Sequence, residues 1–496
     1  MRKKGNLDNK VSFWIEKEFD SYPSKAPFHP NFLYPEYEGE VSEEGNLVYD
    51  AVRNNFRLLG FDIENYGKRK WNPLKEIIKN GDAVLLKPNF VLHENSGGGS
   101  VWSVITHPSV IRAVIDYVYL ALEGNGRIII ADAPQANGNF EKILEITCLR
   151  DIVAYYKQKY DFEIEIYDLR QLRFEYQEGI LLENSRIEMP GDPLGYTIFD
   201  LKDKSNFVDI SNPEKIYGAD YDRIETLKHH SKGHHKYCIA NTVLNADVII
   251  SIPKMKTHRK AGVTLNLKNF IGINGNKNYL PHFRIGDAKD GGDEYAELNN
   301  IVKLVKYSNR FLIDKLLVDP NTTKTFLYEA ILKLYRICKA LKQKENTDKI
   351  SVSGGGWYGN DTLWRTILDL NQIVEYGSLH GEILFEKQRR FFSVIDGMIA
   401  GEGNGPISPK DKKCKLILMG ENLLYVDLVA MRLMGVDYKN VKAYNKLLVD
   451  SGRDIEDIFK NIDIYSNYHK KIQWDGDSEK YFEFMEADGW EGHLLL

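Results

Sequence analysis

ADVIISIPKMKTHRKAGVTLNLKNFIG, residues 246–272, decides how this chain is read. Val248, Ile249, Ile250 and Ile252 make an apolar run that stops at Pro253 and gives way to Lys254, Lys256, Thr257 and His258. Short apolar runs closed by a breaker are the mark of strands buried in α/β sheets. Asn266, Lys268 and Asn269 follow within about two turns of chain. A buried strand that releases lysines and a histidine at its end offers them to an anion, because lysine is a mobile point charge and histidine moves protons near neutral pH. A solvated basic loop is the competing reading. The return to small and apolar residues after PKMKTH favours a site.

Working outward, the same pattern recurs. Ala83–Leu86 reads as a strand ending at Lys87, Pro88 and Asn89, followed by a loop with Gly97, Gly98 and Gly99. Thr106, His107 and Pro108 then open a helix, since proline is favoured in a first turn and its neighbours can cap. Val110, Ile111, Val114, Val118 and Leu122 recur at helical spacing, and Gly124 and Gly126 stop the helix. Arg127–Ala131 is a second strand ending at Asp132, which completes a βαβ unit with both strand ends on one edge. Strands are also expected at 162–167, 391–395 and 415–419, and a helix at 423–434. Four strand ends therefore carry polar groups: Lys87 and Asn89, Asp132, Lys254 to His258, and Asp396. Ligands of open α/β sheets bind outside the carboxyl ends of the strands, so in a parallel sheet these groups converge. The fold class expected is α/β, a mainly parallel helix-covered sheet with a helical insertion. The divisions expected are an N-terminal extension over 1–75, core over 76–294, a helical insertion over 295–350 joined near Asp319-Pro320, and core again over 351–496.

Composition bounds the function. The 496 residues carry a net charge of −5, which argues against a protein built mainly to neutralise nucleic-acid phosphates. No apolar run approaches the length of a membrane span, and the N-terminus shows no signal peptide, so a cytoplasmic protein with no membrane partner is expected. Cys148, Cys238, Cys338 and Cys414 lie far apart with no CxxC pair. The tyrosines of YPEYEG, AYYKQKY and NKNYLPHF suit a polar-ligand surface or a merely tyrosine-rich one.

Other motifs add candidates. Asp396 runs into GMIAGEGNGP, where glycines surround Glu402 and Asn404. Asp132, Asp396 and Glu402 offer oxygens for a divalent cation or could orient histidines. Residues 353–366, SGGGWYGNDTLWRT, read as a glycine loop with Asn360, Asp361 and Thr362 capping a helix. HHSKGHH at 229–235 reads as a polar loop more than a metal site, and His282 as part of a flap over the lysines. There is no GxGxxG and no GxxxxGK[ST], so neither phosphate-loop type is supported.

LLKPNF (85–90), THPSVIRAV (106–114), IIIADAP (128–134), the 246–272 stretch, DGMIAGEGNGP (396–406) and VDLVAMRLMG (426–435) together resemble the family called domain of unknown function 362. The helical region and the N-terminal extension stand outside these matches. That family's activity is not generally established, so the resemblance implies little mechanism. Some relatives carry a cysteine-rich ferredoxin-like segment; no counterpart is seen here, and no iron–sulfur cluster is expected. The order of elements is also similar to that of the nickel-dependent lactate racemases, at the level of architecture.

The reading is an enzyme acting on a small anionic metabolite, phosphorylated or carboxylated. Catalytic acid/base work is expected of His258 with His107. Lys87, Asn89, Thr106, Lys254, Lys256, Thr257, Lys268, Asn269, His282 and Asn404 would contact substrate, and Asp132, Asp396 and Glu402 a divalent metal. Isomerase, transferase and hydrolase chemistry fit equally. The alternative is a non-catalytic binding protein for an anionic ligand or metal cofactor. The oligomeric state is not indicated.

Overall fold

The computed structural model describes residues 9–177, 180–181, 186–218, 222–298, 300–316, 321–342, 354–452, 455–468 and 482–496. Eleven strands form one sheet: β1 (Lys10–Ile15), β2 (Ala83–Pro88), β3 (Arg127–Asp132), β4 (Ile164–Asp168), β5 (Val248–Ile252), β6 (Lys254–His258), β7 (Gly262–Thr264), β8 (Arg390–Asn404), β9 (Ser408–Lys412), β10 (Leu416–Gly420) and β11 (Asp463–Ser466). The spatial order is β11-β1-β10-β8-β5-β2-β3-β4. Neighbours from β8 to β4 are parallel, while β10 runs antiparallel to both β8 and β1. The sheet is therefore mainly parallel, as expected for its apolar strands.

The order has one reversal. From β2 the chain winds outward to β3 and β4, then returns to lay β5 on the other side of β2. The switch point of the sheet therefore lies between β2 and β5; the end of β2 leads through a loop to α2 (Pro108–Leu122), while β5 runs through Pro253 into β6, which pairs with β8.

Alternation along each strand serves two layers. Val84, Leu86, Ile128, Ile130, Val248 and Ile250 point into one core. They pack on α1 (Leu47–Leu59), α2 (Pro108–Leu122) and α3 (Leu149–Tyr160). Leu85, Ile129 and Ile249 point into the other, with Leu370, Ile373 and Val374 of a later helix. A hairpin of α4 (Asn300–Leu316) and α5 (Thr322–Lys342) stands apart on its own small seam of Leu312, Leu316, Tyr328 and Leu332. Then come α6 (Leu363–Tyr376), α7 (Leu423–Met434) and α8 (Lys442–Asp450), which share a core. The Asp319-Pro320 join lies outside the described residues.

Three local readings change. Residues 10–15 enter the sheet between β10 and β11 rather than resting on it as an extension. The strand expected at 391–395 runs on to Asn404, beyond the sheet edge, where β6 and β9 pair with it. The tyrosines Tyr37 and Tyr156 are not ligand-facing; they pack around the buried Arg112–Asp116 pair of α2.

Candidate functional site

Two lysine–aspartate pairs close the carboxyl edge of the sheet. Lys87 at the end of β2 meets Asp132 at the end of β3 at 2.6 Å, and both are buried. Asp132 also accepts the backbone N–H of Phe90 at 2.7 Å and of Ala133 at 2.8 Å. Lys254 meets Asp396 of β8 at 2.7 Å, with both side chains fully buried. Tyr22 donates to the same carboxylate at 2.6 Å, and the His107 N–H does so at 2.9 Å. Burial pushes both ammonium groups below the usual lysine range, and their aspartates pull them back. Between the pairs, Thr106 donates to the Ile252 carbonyl at 2.6 Å and accepts the Asn89 N–H at 3.0 Å. Asn269 donates to the Lys87 carbonyl at 2.8 Å and to Ser251 at 3.2 Å. The strand ends do converge, but their charges neutralise one another.

The charges that remain free lie one layer further out. A cavity of about 360 Å³ opens above this floor, lined among others by Asn89, Asp132, His258, Arg259, Lys260, Lys268, Lys277, His282 and Asn404. Its cationic side chains have no carboxylate within ion-pairing distance among the described residues. Lys277 donates to the Ala133 carbonyl at 2.9 Å, and Lys260 stands 5.4 Å over the ring of Phe283. Lys268 has no hydrogen-bond partner among the described residues, and the buried Nε of Arg259 has none either. Burial lowers all three lysines: Lys260 to about 8, with the Arg259 charge contributing, Lys268 to about 8, with the Lys260 charge contributing, and Lys277 to about 7, with Arg170 contributing. Such groups take up protons and hold an anion together. The buried Asn89 Oδ1 is also unpartnered.

The two cavity histidines are held in opposite tautomers. His258 Nδ1 accepts the backbone N–H groups of Lys260 at 3.0 Å and Ala261 at 3.1 Å, so its proton is on Nε2. His282 Nδ1 lies 2.9 Å from the Leu280 carbonyl, which only accepts, so Nδ1 carries the proton and Nε2 the lone pair. Burial and the surrounding lysines push both rings well below the ordinary histidine value. One neutral ring thus presents a donor and the other an acceptor.

Other expected residues have other employment. His107 caps α2 through the Ser109 N–H at 3.1 Å and stacks on Tyr22 with centroids 3.8 Å apart. It lies outside the cavity lining, so it is no partner for His258. Lys256 is fully buried and donates to the carbonyls of Val104 and Pro406, the latter at 3.3 Å; Thr257 donates to Gly403 O at 2.8 Å. Asn404 lines the cavity, but its side chain exchanges hydrogen bonds with Asp488 at 2.9 Å. Asp132, Asp396 and Glu402 are not brought together: each has its own lysine, Lys412 in the case of Glu402 at 2.8 Å. Among the described residues no group of three His, Cys, Asp or Glu could hold a metal ion. The loop at Gly97 ties to the 407–411 segment, Ser96 N–H donating to Ile407 O at 2.8 Å, and does not line the cavity. Asn360 does cap α6, accepting the N–H groups of Thr362 and Leu363 at 3.0 and 2.9 Å.

Arg259, Lys260 and Lys277 are the cavity cations the motif reading passed over. Arg259 and Lys260 directly follow His258 in the sequence, which was the available signal. Lys277 gave none, because a 3₁₀ turn over Lys277–Tyr279 carries it back to β3.

Compared with known families, the chain matches the model described as Domain of unknown function (DUF362) over residues 84–178 and 203–432. No curated protein and no solved structure matches.

Proposed function

The chain belongs to the DUF362 family, and from that premise we propose that it is an enzyme that binds a small phosphorylated or carboxylated metabolite at the switch-point cavity. Arg259, Lys260, Lys268 and Lys277 supply the charge that holds the anion. His258 directs its Nε2–H at an oxygen where negative charge develops, and His282 takes a proton at Nε2 as general base. The observation that carries the reading is the pair of opposite tautomers, because acid/base chemistry needs one donor and one acceptor facing the same space. Floor residues Lys87, Asp132, Lys254 and Asp396 act by positioning the strands, not by touching substrate.

The test is to incubate the protein with a small-metabolite extract and follow anionic species by mass spectrometry. Consumption by the wild type, lost in His282→Gln while pyrophosphate still binds, is the expected result. Equal consumption by His282→Gln removes the base assignment.

One observation favours a second reading. Asp132 is the one carboxylate among the described lining residues, and Lys87, Phe90 and Ala133 saturate it. A non-catalytic anion binder would need no more than these cations. In that case no metabolite is consumed, and His258→Gln and His282→Gln alter affinity only.

A further inference from the structure

The α4–α5 hairpin carries large apolar side chains that the other described residues do not cover. One side of α4 docks on the body: Lys303 reaches Asp287 at 3.3 Å, and Arg310 reaches Glu294 at 2.7 Å. The Arg310 guanidinium also stands 4.6 Å over Tyr217 and 5.6 Å over Phe283. Leu312, Leu316, Tyr328 and Leu332 join the two helices. Leu304 and Phe311, two turns apart on one face, are 69% and 61% exposed. On α5, Phe326 is 72% and Leu327 49% exposed.

Charge adds a second, independent argument. Between Asn300 and Lys342 there are nine lysines and arginines against three acidic residues, and an excess remains once Lys303 and Arg310 are set against Asp287 and Glu294, in a chain whose net charge is −5. Exposed large apolar side chains beside a cationic excess are the combination of helices that lie in the plane of an anionic lipid surface. We propose that the hairpin is a peripheral membrane-docking element for anionic bilayers. Leu304, Phe311, Phe326 and Leu327 enter the headgroup boundary while lysines and arginines meet lipid phosphates. A second copy of the chain fits less well, since two such cationic faces repel. No described helix is long and apolar enough to cross a membrane, so the contact is interfacial. Arg310 and Lys260 share the ring of Phe283, so the docking element is anchored to the cavity wall.

Co-sedimentation of the full chain with phosphatidylcholine vesicles, with and without phosphatidylglycerol, tests this. Expected is binding to the anionic vesicles only, weakened by salt. A Phe311→Glu/Phe326→Glu variant should bind them about tenfold more weakly or worse. Lys315→Glu/Lys333→Glu should lose binding chiefly at low salt, and both variants should keep the wild-type affinity for pyrophosphate. Wild-type protein that stays in the supernatant with anionic vesicles overturns the proposal, as does undiminished binding by the phenylalanine variant. So does a wild-type dimer that the phenylalanine variant converts to monomer, because the face is then covered by a second copy.

Discussion

Asp132→Asn leaves the Lys87 ammonium buried beside an amide, and removing one partner of such a pair costs roughly 3–5 kcal/mol. A fall of that size in the urea unfolding free energy is expected, and an unchanged midpoint would remove Asp132 from the floor. Lys268→Met should behave in the opposite way. Its ammonium has no hydrogen-bond partner among the described residues and is repelled by the charges of Lys260 and Lys87, so its loss leaves stability level or higher. Pyrophosphate affinity by calorimetry should nevertheless drop about tenfold, as for loss of one charge-assisted contact. Lys256→Ala, on the sequence reading, should lose ligand without losing stability. The structure reverses this: that side chain holds the Val104 and Pro406 carbonyls inside the protein, so thermal stability is expected to fall first. Among single residues, then, the sequence named a segment that lines the cavity but could not separate paired from unpaired cations. Lys87 and Lys268 look alike in a string of letters, and only the register of β2 beside β3 brings Asp132 to the first of them.

At the scale of elements, the buried parallel strands and α2 were legible because hydrophobic runs and helical spacing act locally. β1, β7, β9 and β11 were not. Each is short or half-polar and exists because a neighbour is already in place, as β9 does beside the long β8. The capping of α6 by Asn360 was legible, whereas the role of the glycine loop at 97–99, which ties to the 407–411 segment, was not. Gly272 tests how closely the elements fit. A methyl there would lie 1.9 Å from Asp132 Oδ1 and 2.8 Å from Lys87 Nζ. Gly272→Ala is therefore expected to push the pair apart, lowering the melting temperature and pyrophosphate affinity together; an unaffected melting temperature would show that the 3₁₀ turn at Phe270–Ile273 gives way instead.

For the whole molecule, the cavity lysines tie stability and binding to pH. Their values are depressed below the ordinary lysine value, so between about pH 7 and pH 9 the unfolded chain binds more protons than the folded one. Stability should accordingly rise with pH across that window as the folded-state repulsion is discharged, while anion affinity falls. Calorimetry of pyrophosphate binding in buffers of different ionisation enthalpy should reveal proton uptake at pH 8. No uptake would mean that the lysines are already charged in the empty protein. The six side chains proposed to meet the ligand, from His258 to His282, all come from a single stretch of chain, residues 258–282. The neutral Lys–Asp floor beneath it depends on other strands. Chemistry and scaffold are nonetheless inherited together: the same stretch carries β7, the Asn269 amide on Lys87 and the Gly272 that fits against Asp132, so a lineage that changes the cations here must keep those three to keep the sheet.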